Sequence, residues 1–350
     1  MRSGQKNDCS EVNQLNNPQN LPQVVILATG GTIAGRGSSP LQTAGYSAGE
    51  LSVEELTQAA LGLDQVAYVT GEQVCNVASS ALTIDTWLQL ARRINDIFQN
   101  QPQVSGIVVT HGTDTLEETA YFLNLVVKSQ KPVVVVGSMR PATAVSPDGP
   151  MNLVNAVRTA AAPQAAGLGV LVVMNDEIYS ARDVAKTHAN QLHTFRSSDL
   201  GALGSLDNGN VSIYHTPTRR HTWQTEFTVD QLPTLPRVDI VYTYIGSDNV
   251  VVDALVAASA KGIVLAGAGA GHTTPRTRQA LREAQKQGVF VVRASRVGTG
   301  RILPINPTDL PIGDFIGSDT LNPQKARVLL MLALTRTTDP GEIQRMFNLY

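Results

Sequence analysis

Short runs of β-branched and other apolar residues recur at 24–29, 106–110, 133–137, 170–174, 238–244, 263–266 and 289–292, and glycine or small polar residues follow most of them. Runs this apolar leave no face for water. They specify strands covered by helices on both sides, as in a parallel sheet. Helical patterns lie between them: Ile84, Trp87, Leu88, Ala91, Ile94, Ile97 and Phe98 share one apolar face. Asn322-Pro323 supplies an N-cap and a first-turn proline for a helix through Leu334. At 350 residues the chain exceeds the roughly 250–300 at which one core stops growing, so two domains are expected. Around 208–237 the composition shifts, with Thr216-Pro217, Arg219-Arg220, Pro233 and Pro236 and little helical periodicity. The expectation is a two-domain α/β fold: a polar disordered tail at 1–20, a larger parallel-sheet domain at 21–215, a linker at 216–237, and a smaller α/β domain at 238–350.

Composition narrows the function. A net charge of −2 and a pI near 6.3 give no reason to expect nucleic acid or an anionic membrane as partner, and aromatics at 5% are too few for base-stacking platforms. No stretch approaches the roughly 20 consecutive apolar residues of a membrane helix. The tail, rich in Asn and Gln, fits either a cytoplasmic start or a mature end left after an export signal is removed, which would place the protein in the periplasm or outside the cell. Cys9 and Cys75 are the two cysteines; Cys9 sits in the tail and Cys75 reads as a small buried apolar residue. With no HxxxH or CxxC spacing, no metal site is expected.

Open parallel sheets place ligands where strands end and polar loops begin. The loop after 24–29 reads Thr29-Gly30-Gly31-Thr32-Ile33-Ala34-Gly35, which brings a reactive hydroxyl and backbone amides to a strand exit. Beyond it, Gly35, Gly37, Gly45 and Gly49 bracket a polar stretch carrying Tyr46, the pattern of a hinged lid. The loop after 106–110 reads Thr110-His111-Gly112-Thr113-Asp114-Thr115, with Thr115 and Glu118 at capping-box spacing. Thr113 and Asp114 then sit at the positive end of a helix, beside amides suited to an oxyanion. A threonine hydroxyl attacks only when a base takes its proton; Tyr46 and Lys186 are the candidates. A lysine serves there only with a depressed pKa. Each residue alone has a structural reading: a glycine turn, a helix cap, a solvated lysine, a surface tyrosine, a hydrogen-bonded core histidine at 111. Their joint occurrence carries the case for acyl transfer.

Segments 26–33 (Ile-Leu-Ala-Thr-Gly-Gly-Thr-Ile) and 109–115 (Val-Thr-His-Gly-Thr-Asp-Thr) resemble the two signature segments of the bacterial L-asparaginases, most closely the type II, asparaginase/glutaminase branch. The similarity runs from about Leu21 to Tyr350 and includes 71–74, 136–141, 148–150 and 320–327. The resemblance implies an amidohydrolase that converts L-asparagine to L-aspartate and ammonia, with some activity on L-glutamine. Thr32 would attack the side-chain amide carbon while Tyr46 closes over it, and Thr113, Asp114 and Lys186 would support proton transfer. Ser79 would hold the substrate carboxylate and Asp114 would face its ammonium; Gly31, Ser80, Gly112, Ser138 and Asp309 complete the expected substrate-binding set. No cofactor or metal is implied. The resemblance also implies a homotetramer of tight dimers, each site completed by a neighbour's C-terminal domain.

Three positions depart from the family pattern. Ser80 stands where Gln or Glu is usual. Gly246 falls where many relatives carry asparagine, with Ser247, Asp248 and Asn249 close by. Pro307 occupies the place of a glutamate that reaches the neighbouring site, and Asp309 is the nearest acid. A missing charged hydrogen bond costs roughly 1.5–3 kcal/mol, about ten- to a hundredfold or more in rate or affinity, so these changes bear on efficiency and substrate choice. Two rival readings remain. Gly267-Ala268-Gly269-Ala270-Gly271, with Arg293 and Arg296 downstream, imitates an NADP fingerprint, although the third glycine is missing and Thr273-Thr274-Pro275 opens the next helix. An asparagine-binding protein with little turnover would fit the departures, against which stands the intact set of Thr32, Thr113, Asp114 and Lys186.

Overall fold

The computed structural model describes residues 21–43, 45–304 and 315–350, so the tail with Cys9, and Pro307 and Asp309, lie outside the described residues. The first domain carries strands β1 (Gln23–Gly30), β2 (Tyr68–Val77), β3 (Val104–Thr110), β4 (Val133–Val136), β5 (Val170–Met174), β6 (Glu177–Ser180), β7 (Ala185–Lys186), β8 (Phe195–Arg196), β9 (Gly204–Asp207) and β10 (Asn210–Ile213). Its helices are α1 (Val53–Ala59), α2 (Ile84–Asn100), α3 (Leu116–Val126) and α4 (Gly149–Ala161). The second domain holds β11 (Val238–Tyr242), β12 (Gly262–Gly267), β13 (Phe290–Ser295) and β14 (Ile316–Gly317), with α5 (Val250–Ala257), α6 (Pro275–Lys286), α7 (Pro323–Ala333) and α8 (Pro340–Leu349).

The large sheet runs β10-β9-β6-β5-β4-β3-β1-β2, parallel from β2 through β5 and antiparallel beyond. From β1 the chain first moves to one side, to β2, and then returns to the other side, to β3. Between β1 and β3 the order therefore reverses, and the loops leaving their carboxyl ends diverge to open a crevice. The residues that make this possible are the ones that cannot face water: β3, β4 and β5 carry Ile107, Val108, Val134, Val135, Leu171 and Val172 without measurable exposure. The smaller sheet is parallel in the order β11-β12-β13-β14.

Alternation divides that smaller sheet. Ile263, Leu265 and Val291 pack under α5 and α6, whereas Val264 and Val292 join α7, α8 and the main core. The two domains thus share apolar packing through α7. The stretch at 208–237 begins inside the large sheet with β10, and Phe227 and Val229 within it are fully buried. Phe227 packs against the C-terminal Tyr350, ring centroids 5.2 Å apart. Strand β2 escaped the sequence pattern because it is an edge strand that mixes polar with apolar residues and has no fully buried position.

Candidate active site

The two loops expected to meet do so at the β1/β3 crevice. Thr29 Oγ1 donates to the Thr110 carbonyl at 2.8 Å, tying the two strand tips together. Beyond them Gly31 has φ 83°, and a Cβ there would stand 2.3 Å from both N and Cα of Gly112. Only glycine lets these backbones touch, and that contact brings the residues after each strand onto one cavity. Its volume is about 720 Å³, and Gly31, Thr32, Tyr46, Ser79, Gly112, Thr113, Asp114 and Lys186 all line it.

Two polar clusters stand in the cavity. Thr32, 7% exposed, places its hydroxyl 2.6 Å from the Tyr46 hydroxyl. Lys186 Nζ donates to Thr113 Oγ1 at 2.9 Å and to Asp114 Oδ1 at 2.7 Å. The Asp114 carboxylate is otherwise open, its side chain 70% exposed against 16% for Lys186. Hydrogen bonds tie the chain on either side of Tyr46 to its surroundings. Arg36 and Ser47 exchange backbone hydrogen bonds, Ala142 N–H donates to the Gly35 carbonyl, and Gly37 N–H donates to Thr143 Oγ1.

Several expectations are corrected. Thr115 does not form the anticipated capping box with Glu118. Its hydroxyl instead donates to the Ser79 carbonyl at 3.0 Å, which fixes Ser79 to the start of α3. Ser138 is fully buried and donates to the Arg140 carbonyl at 2.8 Å, so its hydroxyl is turned away from the cavity it was assigned to. Ser80 is exposed and does not line the cavity, whereas Ser79 beside it does. Gly31 lines the wall, with its N–H donating to the Val77 carbonyl at 3.0 Å. Cys75 is half-buried rather than buried; its thiol donates to the Thr29 carbonyl, and burial pushes its pKa up.

Sequence reasoning also missed residues. Asp148 accepts from the backbone N–H groups of Met139 and Arg140, both at 2.9 Å, and so shapes the cavity wall those residues form. Thr43, Ala48, Ala189 and Asn190 also line the cavity; small residues on loops leave no periodic signal. His111 is fully buried, with Nδ1–H donating to the Gly112 carbonyl at 2.7 Å, and burial lowers its pKa to about 4. It stays neutral and braces the loop. The arginines of the supposed NADP fingerprint are engaged elsewhere: Arg293 donates to the carbonyls of Ala270 and Leu303, and Arg296 to that of Thr243. Gly267 sits where a Cβ would meet Gly271 at 2.4 Å, and Ala268 and His272 exchange backbone hydrogen bonds to close the turn on itself.

Fold and cavity together define a hydrolase: a two-domain α/β protein with the hydroxyls of Thr32, Tyr46 and Thr113, an amine and a carboxylate at a topological switch point. The model of the asparaginase N-terminal domain matches residues 23–219, and that of the glutaminase/asparaginase C-terminal domain matches 237–347. L-asparaginase 2 of Bacillus subtilis is 50% identical, over 95% of this chain and 88% of its own. A glutaminase-asparaginase of Pseudomonas fluorescens is 47% identical, over 93% of this chain and 90% of its own. The crystal structure of a probable cytoplasmic L-asparaginase from Campylobacter jejuni superimposes with a TM-score of 0.91 at 46% identity, covering 94% of this chain and 99% of that one. The chain belongs to the asparaginase family.

Proposed function

We propose that this protein hydrolyses the side-chain amide of L-asparagine to L-aspartate and ammonia, with L-glutamine as a second substrate, through an acyl-enzyme on Thr32. The observation that carries this reading is the 2.6 Å contact between the Thr32 and Tyr46 hydroxyls within the cavity that Thr113, Lys186 and Asp114 share. Thr32 Oγ attacks the amide carbon as its proton passes to the Tyr46 oxygen and the Tyr46 hydroxyl gives up its own proton toward the amide nitrogen. The C–N bond then breaks, and the departing nitrogen takes up a proton to leave as ammonia. Water attacks the resulting ester and restores the Thr32 hydroxyl. Lys186, hydrogen-bonded to both Thr113 and Asp114, supplies the second proton-transfer group.

Substrate orientation follows from charge. Ser79 and the neighbouring amides suit the α-carboxylate, and the open side of Asp114 suits the α-ammonium. Asparagine and glutamine differ by one methylene, worth roughly 1–3 kcal/mol in such a pocket, so both fit the proposal. The same reading has the protein act as a homotetramer. Tyr242, Tyr244, Ile245, Val250 and Val251 support it: they are exposed apolar side chains grouped on β11, the loop after it and α5. Gly246, at φ 84°, lies in that loop.

Ammonia release is to be measured on L-asparagine and L-glutamine side by side, with wild type and Thr32→Ala. Wild type should release ammonia from both and the variant from neither, with unchanged circular dichroism. Wild-type rates in Thr32→Ala would remove Thr32 from the chemistry.

A further inference from the structure

Lys186 reaches the cavity from a segment that no long strand or helix supports: β7 is two residues long. What holds it comes from the other domain. Lys325, in the first turn of α7, is 2% exposed. Its Nζ donates to three backbone carbonyls: Ala181 at 3.0 Å, Arg182 at 2.8 Å, and Val184. These are carbonyls of the turn immediately before Lys186, where the Asp183 and Val184 N–H groups both fold back on the Ser180 carbonyl. Three acceptors match the three N–H bonds of an ammonium. Burial lowers the Lys325 pKa to about 8, with Glu117 and Asp183 opposing that fall, so at neutral pH the ammonium keeps all three protons.

The far end of the segment is held by Glu117. Its Oε2 accepts the Lys186 backbone N–H at 2.6 Å, and its Oε1 accepts Asn322 Nδ2 at 2.9 Å. Asn322 caps α7 by accepting from the Lys325 N–H at 2.9 Å. Glu117 lies in the first turn of α3, three residues after Asp114. One buried polar seam therefore links the α7 cap, the α3 start and both ends of the 181–186 segment, with Lys325 and Glu117 at its two grips.

We propose that Lys325 is a positioning residue for the reaction: by gathering three carbonyls of the preceding turn it sets where the Lys186 amine stands relative to Thr113 and Asp114. An ammonium bonded to backbone fixes the path of the chain, and it acts on the main chain itself, whereas Arg182 in the same turn ties its side chain to the Tyr350 carbonyl, Thr320 Oγ1 and Asp319 Oδ2. Without those three bonds the carbonyls are left buried without donors, the turn opens, and the Lys186 amine moves off Thr113. A displacement of about 1 Å at a reacting group costs up to about a hundredfold in rate. Glu117 acts in the same way on the opposite side of the segment.

This inference rests on the role assigned to Lys186 under the proposed function, and the test separates the two. Lys325→Met keeps the length and removes the donors; Lys325→Gln keeps a shorter donor and serves if the methionine variant does not fold. Ammonia release by wild type and variant is measured with hydrogen exchange of the 181–187 amides. The expected result is a fall in kcat of more than about tenfold, or 1.4 kcal/mol, with KM changed far less. Partial recovery is expected in Lys325→Gln, together with faster exchange at 181–187 and unchanged exchange in β12 and β13. A folded variant with wild-type kcat overturns the proposal, as does a loss of exchange protection spread evenly over the chain. If wild type itself releases no ammonia the function is wrong, and the exchange pattern still decides whether Lys325 holds the segment.

Discussion

The contact between Gly31 and Gly112 makes the sharpest demand on the site, and Gly31→Ala tests it. An alanine Cβ would lie 2.3 Å from two backbone atoms of Gly112 and 2.8 Å from the His111 carbonyl carbon. Ordinary contact begins near 3.4 Å, so the two strand tips must part by about 1.1 Å, and no flexible side chain can yield in their place. The left-handed backbone at φ 83° adds a further penalty for a residue with a Cβ. Left-handed strain of about 1–2 kcal/mol and overpacking of about 1–3 kcal/mol together predict a loss of about 2–5 kcal/mol in stability. The functional effect should be larger than the stability effect suggests. Separating the tips by about an ångström moves Thr32 away from Thr113 and Lys186, which predicts a kcat about a hundredfold lower in protein that remains folded. Urea unfolding followed by circular dichroism gives the first quantity. Ammonia release at a temperature where both proteins are folded gives the second. A folded Gly31→Ala enzyme with kcat within about twofold of wild type would refute the claim that this backbone contact sets the catalytic geometry.

Three further outcomes follow from the same geometry. Tyr46→Phe removes the hydroxyl 2.6 Å from Thr32 and should lower kcat by roughly 10²–10⁴-fold if that oxygen takes the proton; a change below about threefold would demote Tyr46 to a lid residue. Thr115→Val leaves the Ser79 carbonyl without its donor, costing about 1 kcal/mol in stability and raising KM more than it lowers kcat; a KM equal to that of wild type would mean Ser79 does not need this anchor. Acid sensitivity should trace in part to His111. The unfolded chain binds a proton near pH 6.5 and the folded site only near pH 4, so this contribution is complete above 6.5 and about 3 kcal/mol is lost as pH falls to 4. Urea unfolding across that window should show a shallower pH slope in His111→Asn than in wild type, and equal slopes would contradict the assignment.

Burial divides what could be read in advance from what could not. The strands that carry the site are continuous apolar runs, so their pattern announced them. The cavity's principal side chains sit in loops directly after those strands, where glycine and threonine stand out. Edge strands such as β2 gave no comparable signal, because one side of each faces water. Thr115 shows the limit most clearly: its spacing to Glu118 matched a capping box, yet its hydroxyl donates to the Ser79 carbonyl, 36 residues away in the chain. Ser138 failed for a related reason, since its neighbour Arg140 offered a carbonyl before any cavity could.

Periodicity and turn chemistry, local properties of the chain, were enough to fix the α/β class, the two glycine-threonine loops and the residue types on which the proposed acyl transfer draws. Strand order decided the rest. Placing β3 on the far side of β1 brought residues 32 and 113 to one crevice, and packing α7 against α3 carried Lys325 and Asn322 to the segment that holds Lys186. Such partners are chosen by which surfaces meet when two sheets share a core, and no short stretch of sequence encodes that.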